Sequence, residues 1–121
     1  MLKIGEIEIP KEIEEEIKAK GGMEKIAKII PDLKEIEKLM KVLADEKRLK
    51  ILYALYHQRM CVCMLSELID CPYSKCSYHI AKLKEMKLVN SKHIGNFIVY
   101  SITPYGRKII RYFEKMKEVK K

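Results

Sequence analysis

Four cysteines are the side chains of this 121-residue chain whose type and spacing offer chemistry. Cys61 and Cys63 are two residues apart, and soft thiolates at that spacing can chelate a soft ion. The same two side chains would serve equally well as small buried hydrophobic residues. The spacing therefore leaves a chelating pair and a packing pair as alternatives.

Cys71 and Cys76 flank Pro72, which has a fixed φ and no N–H and so can begin a helix but not continue one. If Pro72 is the cap residue, Cys71 precedes the cap and Cys76 is the fourth helical residue. Those two positions touch in a hydrophobic staple, and their Cα atoms could then lie within the roughly 4.4–6.8 Å range of a disulfide. The pair is either a redox switch, whose oxidation would twist the helix, or part of the core.

The elements that must position these cysteines are a short helix, a tight turn and a second helix, within residues 61–89. In the first helix, Leu65, Leu68 and Ile69 share a face at helical spacing, which predicts that they are buried together. The second helix has a similar apolar stripe and a polar, cationic opposite face of the kind that a DNA major groove accepts. Its predicted buried residues are Cys76, Ile80 and Leu83.

Two β-rich runs follow at once, residues 88–94 and 97–102. They flank Gly95 and Asn96, and a two-residue turn of this composition predicts a β-hairpin. A helix-turn-helix followed directly by a hairpin is a winged helix. We therefore predict a mostly α fold with a β-hairpin wing.

Helices are also predicted on both sides of this module. Capping and turn residues set their ends, with Asp45 as one cap and Thr103-Pro104 as the start of the last helix. Residues 2–9 alternate weakly and predict a short strand or an arm. The predicted helices cover residues 10–20, 23–30, 33–43, 46–57 and 104–118.

The positive charge is concentrated in the second half of the chain. Residues 1–50 hold 12 basic and 12 acidic side chains, whereas residues 51–121 hold 13 basic and 5 acidic ones. An asymmetry of this kind indicates a polyanionic partner. A membrane surface is the rival, but the lysines lie on several elements rather than on one amphipathic helix. Double-stranded DNA is therefore the predicted partner, and no membrane.

Several motifs together resemble the ArsR/SmtB family of metal-responsive repressors. Residues 43–52, Leu-Ala-Asp-Glu-Lys-Arg-Leu-Lys-Ile-Leu, are similar to the family's "LADPTRLRIL", and residues 61–65, Cys-Val-Cys-Met-Leu, to its "CVCEL". Residues 77–83 match "SHHLKVL", and Leu88-Val89 match the "GLV" before the wing. The resemblance covers about residues 33 to 115 and is more specific than any one motif.

The resemblance implies a homodimer in which N- and C-terminal helices form the interface. Both helices are apolar on one side, and we expect little inside the subunit to cover them. The implied division is residues 1–32 as an N-terminal extension contributing to the dimer and residues 33–121 as the DNA-binding domain. Packing of these helices within a monomer is the alternative.

Contacts to DNA are expected from the exposed face of the second helix and from the wing. His79 corresponds to a common histidine of the family, facing either DNA or the neighbouring helix, and we assign it to DNA. Any one of these residues could instead be merely solvated. The predicted DNA-binding residues are Tyr73, Ser74, Lys75, Ser77, Tyr78, His79, Lys82, Lys92, His93 and Asn96.

The resemblance also implies a soft-ion effector, such as As(III), for which Cys61 and Cys63 are the candidate ligands. The arsenic-type pattern adds a third cysteine three residues later, where this chain has Ser66. Residues 101–121 contain no histidine, so the family's zinc pattern on the last helix is missing. Cys71 and Cys76 remain the candidate redox pair.

We therefore predict a DNA-binding transcriptional regulator that acts as a repressor. Thiol chemistry at its cysteines, either redox or soft-ion binding, is predicted to modulate its binding to the operator. One alternative is a winged-helix regulator with no metal or redox sensing, and another is a protein-interaction module with the same fold. The sequence contains no phosphate-binding loop, no pair of nucleophile and base and no complete metal triad. An enzyme is therefore not predicted. The chain also lacks an 18-residue apolar run and a secretion signal, which predicts a cytoplasmic protein with reduced thiols.

Overall fold

The structure is a computed structural model that describes residues 2–120. It contains two compact units, one ending at Glu35 and the other beginning at Ile36. The first unit opens with a small antiparallel hairpin, so the predicted strand is present as two, and two short helices follow. No side chain of these helices is buried. The bounds are β1 (Lys3–Ile4), β2 (Ile7–Glu8), α1 (Lys11–Ala19) and α2 (Met23–Ile29).

The second unit has the predicted order of helices and strands. Asp45 caps its second helix by accepting a hydrogen bond from the N–H of Arg48 at 3.1 Å. The hairpin pairs Ile94 with Phe97 across a two-residue turn, and Gly95 there has φ 57°, which favours glycine. The elements are α3 (Lys34–Leu43), α4 (Glu46–His57), α5 (Val62–Leu68), α6 (Tyr73–Glu85), β3 (Val89–Ile94), β4 (Phe97–Ile102) and α7 (Pro104–Lys120).

One hydrophobic core lies at the centre of the second unit. It draws large apolar side chains from every element of that unit, and the three predicted for α6 are all buried. Such a core fixes the angle of α6 relative to α4 and α5. Its largest fully buried side chains are Ile51, Leu52, Leu55, Leu65, Ile80, Leu83, Leu88 and Ile110.

The prediction that Leu68 shares the buried face of α5 is wrong, because its side chain is 60% exposed. The residues that face the core are Val62, Leu65 and Ile69. At about 100° per residue, Leu68 lies roughly a quarter turn from the centre of that face. An apolar residue at the edge of a seven-residue helix has no neighbour to cover it.

The expectation that the last helix leaves its apolar side uncovered is wrong for its first half. Ile109 and Ile110 are buried against the core of their own subunit. Phe113 is half-buried and Met116 is exposed, so the apolar stripe continues beyond the core only in the second half. The part of the apolar stripe that stays open to solvent therefore lies in the second half of α7.

The start of α7 is held by Thr103, as the sequence predicts. Its hydroxyl accepts from the N–H of Gly106 at 3.0 Å and donates to the carbonyl of Lys87 at 2.8 Å. Gly106 itself allows a close approach, since a Cβ there would lie 2.5 Å from the carbonyl oxygen of Leu88. The beginning of α7 is thereby packed against the end of α6.

Candidate nucleic-acid interface and thiol site

The second helix of the helix-turn-helix, α6, begins as predicted, with Pro72 as the cap residue. Cys71 therefore precedes the cap and Cys76 is the fourth helical residue, the two positions of a hydrophobic staple. The turn before it needs a left-handed residue, and Asp70 adopts φ 52° there. The Ser66 hydroxyl donates to the carbonyl of Cys71 and stabilises the same turn.

Residues 45–48 orient α6, a role that sequence reasoning missed. The ammonium of Lys47 donates to the carbonyls of Ile69 and Asp70 at 3.0 and 3.2 Å, and so binds the turn. The Nε of Arg48 donates to Nδ1 of His79 at 3.1 Å, which ties α4 to α6. The N–H of Arg48, bonded to the Asp45 carboxylate, is the main reason that the pKa of Asp45 is lowered. The sequence identifies residues 43–52 as a family motif, but it does not predict that they contact α6.

His79 is half-buried and is held by Arg48. Its ring also lies 5.7 Å from that of Tyr78. The neighbouring helix that it faces is α4, which carries Arg48. That His79 contacts DNA stays a prediction. In the structure the imidazole already accepts a hydrogen bond from Arg48.

The other predicted DNA-binding residues lie on the outer face of α6 and on the wing. Lys82 stacks on Tyr78, with Nζ 5.5 Å from the ring centroid, so the two side chains form one surface. The predicted DNA-binding residues did not include Lys84. Its Nζ donates to the Ser91 hydroxyl at 2.7 Å, and this hydrogen bond connects α6 to β3. Exposed are Tyr73, Ser74, Lys75, Tyr78, Lys92, His93 and Asn96, and half-buried are Ser77 and Lys82.

The wing is tethered to the segment that carries the first two cysteines. The N–H of Met60 donates to the carbonyl of Tyr100 at 3.1 Å, and the N–H of Tyr100 donates back at 2.8 Å. Met60 thus pairs with β4 as a third, one-residue strand. Any shift of the backbone at Cys61 is transmitted to the wing through these two hydrogen bonds.

Cys61 and Cys63 lie side by side at the beginning of α5. Their sulfur atoms are 2.9 Å apart, longer than the about 2.05 Å of a disulfide, and both are free thiols. Cys61 is buried and Cys63 is exposed. The hydrogen bond between the two sulfur atoms lowers the pKa of Cys61 and raises the pKa of Cys63. Two adjacent sulfurs, one of them open to solvent, fit the role of a bidentate soft-ion ligand.

The same two cysteines line a groove between α6 and the wing. Its volume is about 460 Å³, and Tyr73, Ser77 and Asn96 line it as well. Three residues predicted to contact DNA and the two candidate ligands therefore share one groove. A ligand of the sulfur atoms in this groove would lie next to the residues predicted to bind DNA.

Cys71 and Cys76 are both buried in the core and both are free thiols. Burial, followed by the neighbouring Cys71 thiol, raises the pKa of Cys76 to about 11. A buried thiol that stays protonated is a poor nucleophile. Both observations oppose a redox role, which stays an untested prediction, and favour the packing alternative.

No third ligand accompanies Cys61 and Cys63 within residues 2–120. In that part of the chain, no three His, Cys, Asp or Glu side chains are grouped so that they could hold a metal ion. The Ser66 hydroxyl, at the position of the family's third cysteine, is used by the turn. Among the helices of the same residues, none has both the length and the apolar character needed to cross a bilayer.

Comparison with known proteins gives consistent matches. The model of a family described as "Bacterial regulatory protein, arsR family" matches residues 45–91. The cadmium resistance transcriptional regulatory protein CadC of Listeria innocua is 36% identical over 72 residues, 59% of this chain and 60% of CadC. The arsenical resistance operon repressor of Bacillus subtilis is 37% identical over 71 residues, 58% of this chain and 68% of the repressor. The chain thus spans about three fifths of CadC.

Solved structures share the fold. One of them is a homodimeric winged helix-turn-helix DNA-binding domain from Mycobacterium bovis, from a possible ArsR-family transcriptional regulator. The TM-score is 0.66 at 20% identity, with 81% of this chain and 89% of that chain covered.

A helix-turn-helix with a hairpin directly behind its second helix, packed on one core, defines a winged helix-turn-helix protein. This confirms the predicted fold class. The chain belongs to the arsR family of bacterial regulatory proteins, which confirms the resemblance. That membership also confirms the prediction that it is not an enzyme.

Proposed function

We propose that the chain is a transcriptional repressor that binds its operator as a homodimer through α6 and the wing. A thiophilic ligand at Cys61 and Cys63 then releases the DNA. The observation that carries this proposal is the groove that the two cysteines share with Tyr73, Ser77 and Asn96. A ligand there would compete with the docked DNA or displace the wing through the Met60–Tyr100 hydrogen bonds.

The charge distribution supports DNA as the partner. Residues 51–121 carry 13 basic and 5 acidic side chains, and several of the lysines lie on the exposed side of α6 and the wing. Lys75 is exposed at the beginning of α6, where helix N–H groups also favour phosphate. Neutralising several phosphates makes binding fall steeply with salt concentration.

An apolar groove of about 600 Å³ between α3 and α7 supports the homodimer. Met40 and Met116 are 64% and 62% exposed at this groove, and half-buried Phe113 lines it. Two copies joined there would present two α6 helices, as a palindromic operator requires. Contiguous exposed apolar surface of this kind often marks an interface between protein chains.

Binding to duplex DNA from the region upstream of the chain's own coding sequence tests the proposal. Lys75→Ala and Tyr78→Ala should each weaken binding by about 1–3 kcal/mol, because both side chains project from α6. Lys18→Ala and Lys25→Ala are the matched controls, being exposed residues of the first unit, and should have little effect. Fluorescence anisotropy over a salt series measures both the affinity and the number of phosphates neutralised.

Equal effects from the two sets would contradict the assignment of α6. Absence of salt-dependent DNA binding would favour the protein-interaction alternative. For the effector, the double variant Cys61→Ser with Cys63→Ser should no longer release DNA on addition of As(III). Cys71→Ala with Cys76→Ala should still respond, and an unchanged response in both variants would favour a regulator without thiol sensing.

A further inference from the structure

An apolar cavity of about 480 Å³ lies between the wing and residues 58–64, the segment that leads into α5. Met64, Ile94 and Phe97 line it and are 57%, 40% and 59% exposed. The cavity shares Phe97 and the first two cysteines with the groove at α6. Exposed apolar side chains grouped around one cavity of small-molecule size indicate a binding site for an apolar group.

The positive charge at this cavity comes from Arg59, whose side chain is exposed. None of the ion pairs formed among residues 2–120 includes Arg59. A neighbouring polar cavity of about 290 Å³ is also lined by Arg59, together with His57 and Arg107. In the described part of the chain, no acidic side chain lines either cavity. The charges around the apolar cavity therefore favour an anion.

A guanidinium group can bind a carboxylate through two parallel hydrogen bonds, whereas apolar walls offer nothing to a second charge. A ligand with one carboxylate and an apolar body therefore matches both parts of the cavity. We propose that this cavity binds a small aliphatic carboxylic acid whose carboxylate pairs with Arg59. Its chain lies against Met64, Ile94 and Phe97. The binding uses no thiol chemistry, so it is independent of the proposed thiophilic ligand at the two cysteines.

The groove between α3 and α7 is the rival site for such a molecule, because it is also apolar and is lined by Lys117 and Lys120. The methionines distinguish the two sites. Met60 and Met64 line the proposed cavity, whereas Met40 and Met116 line the rival groove. The NMR signals of the methionine methyl groups therefore report where a ligand binds.

The test is a titration of the full chain, carrying carbon-13 in its methionine methyl groups, with octanoate, 1-octanol and acetate. Octanoate has both the charge and the chain, 1-octanol lacks the charge, and acetate lacks the chain. We expect octanoate to shift the signals of Met60 and Met64. Its affinity should exceed that of acetate at least about tenfold, because several methylene groups are buried.

Variants separate the roles of charge and apolar contact. Arg59→Gln should weaken octanoate binding about threefold and leave 1-octanol binding unchanged, because only the acid is charged. Arg111→Gln is the matched control, since Arg111 is exposed on α7 and lines neither cavity. Phe97→Ala should weaken the binding of both octanoate and 1-octanol. Cys63→Ser should bind octanoate as the wild type does.

The inference is overturned if octanoate shifts the signals of Met40 and Met116 but not those of Met60 and Met64. Equal affinities for octanoate and acetate, or equal losses in Arg59→Gln and Arg111→Gln, would also overturn it. So would shifts of the Met60 and Met64 signals on dilution without ligand, which would assign this surface to a second copy of the chain. Loss of octanoate binding in Cys63→Ser would contradict a site that needs no thiol. The assay contains neither DNA nor a thiophilic ion, so its failure is distinguishable from failure of the proposed function.

Discussion

At the scale of residues, the four thiols separate into two chemically different pairs. Exposed Cys63 touches buried Cys61 beside the groove between α6 and the wing. Cys71 and Cys76 are enclosed by the core. Identical side chains therefore differ in reactivity because of their surroundings, and selective alkylation of the native protein should begin at the first pair.

The buried thiol of Cys76 predicts a stability change at alkaline pH. Its pKa is about 11 in the folded protein against an ordinary value of 9.0. Between these values the unfolded chain has lost the proton and the folded chain retains it. The free energy of unfolding should therefore fall as the pH rises from about 9 to about 11, and Cys76 contributes no pH dependence below that range.

Urea unfolding at several pH values measures this effect. Cys76→Val should remove part of the alkaline decrease, since valine does not titrate, whatever its effect on stability at neutral pH. Ile80→Val is the control, because it alters the same buried face of α6 without removing a titratable group. Identical pH slopes in the wild type and Cys76→Val would show that other groups cause the decrease.

At the scale of elements, the end of α6 carries a strained residue. Lys87 has φ 61°, a left-handed conformation that costs a non-glycine residue about 1–2 kcal/mol. Lys87→Gly should therefore stabilise the fold by about 1 kcal/mol. Ala81→Gly, an exposed position inside the same helix, should destabilise it by a similar amount. Thermal and denaturant unfolding measure both, and destabilisation by Lys87→Gly would contradict the strain.

The elements were largely predictable because their signals are local. Proline and capping residues marked the beginnings of α4, α6 and α7, and the Gly95-Asn96 turn set the register of the wing. The faces of short helices were less predictable, as Leu68 shows, because one residue at the edge of a stripe depends on its neighbours. Burial of Ile109 likewise depended on how α7 crosses the core.

The site was predictable only in part, because its contacts join residues far apart in sequence. The outer face of α6 could be deduced from helical spacing. Nothing local indicates that Lys47 binds the turn after α5 or that Arg48 holds His79. The proximity of Phe97 to the cysteines likewise requires the hairpin to fold back on α5, which periodicity does not encode.

At the scale of the whole molecule, the groove between α3 and α7 predicts which substitution would separate the proposed dimer. Met116→Asp should yield a folded monomer, since Met116 is 62% exposed and lies outside the core. Ile109→Asp should instead unfold the subunit, because Ile109 is buried. Lys115→Asp is the charge control on the exposed side of α7 and should leave the dimer intact.

Analytical ultracentrifugation with circular dichroism distinguishes these outcomes. The dimer interpretation would be wrong if the wild type sedimented as a folded monomer at micromolar concentration. A dimer that persists in Met116→Asp would place the interface away from this groove.

The pairing of Met60 with Tyr100 has a consequence for the order in which the chain folds. The hairpin alone can form early, since its strands adjoin in sequence, but Met60 and Tyr100 are about 40 residues apart. Closing a loop of that length is entropically costly and must await the helices between them. The cysteine segment and the wing therefore become fixed to each other in one late step. A newly made chain would thus fix the position of its wing relative to the proposed ligand site only at the end of folding.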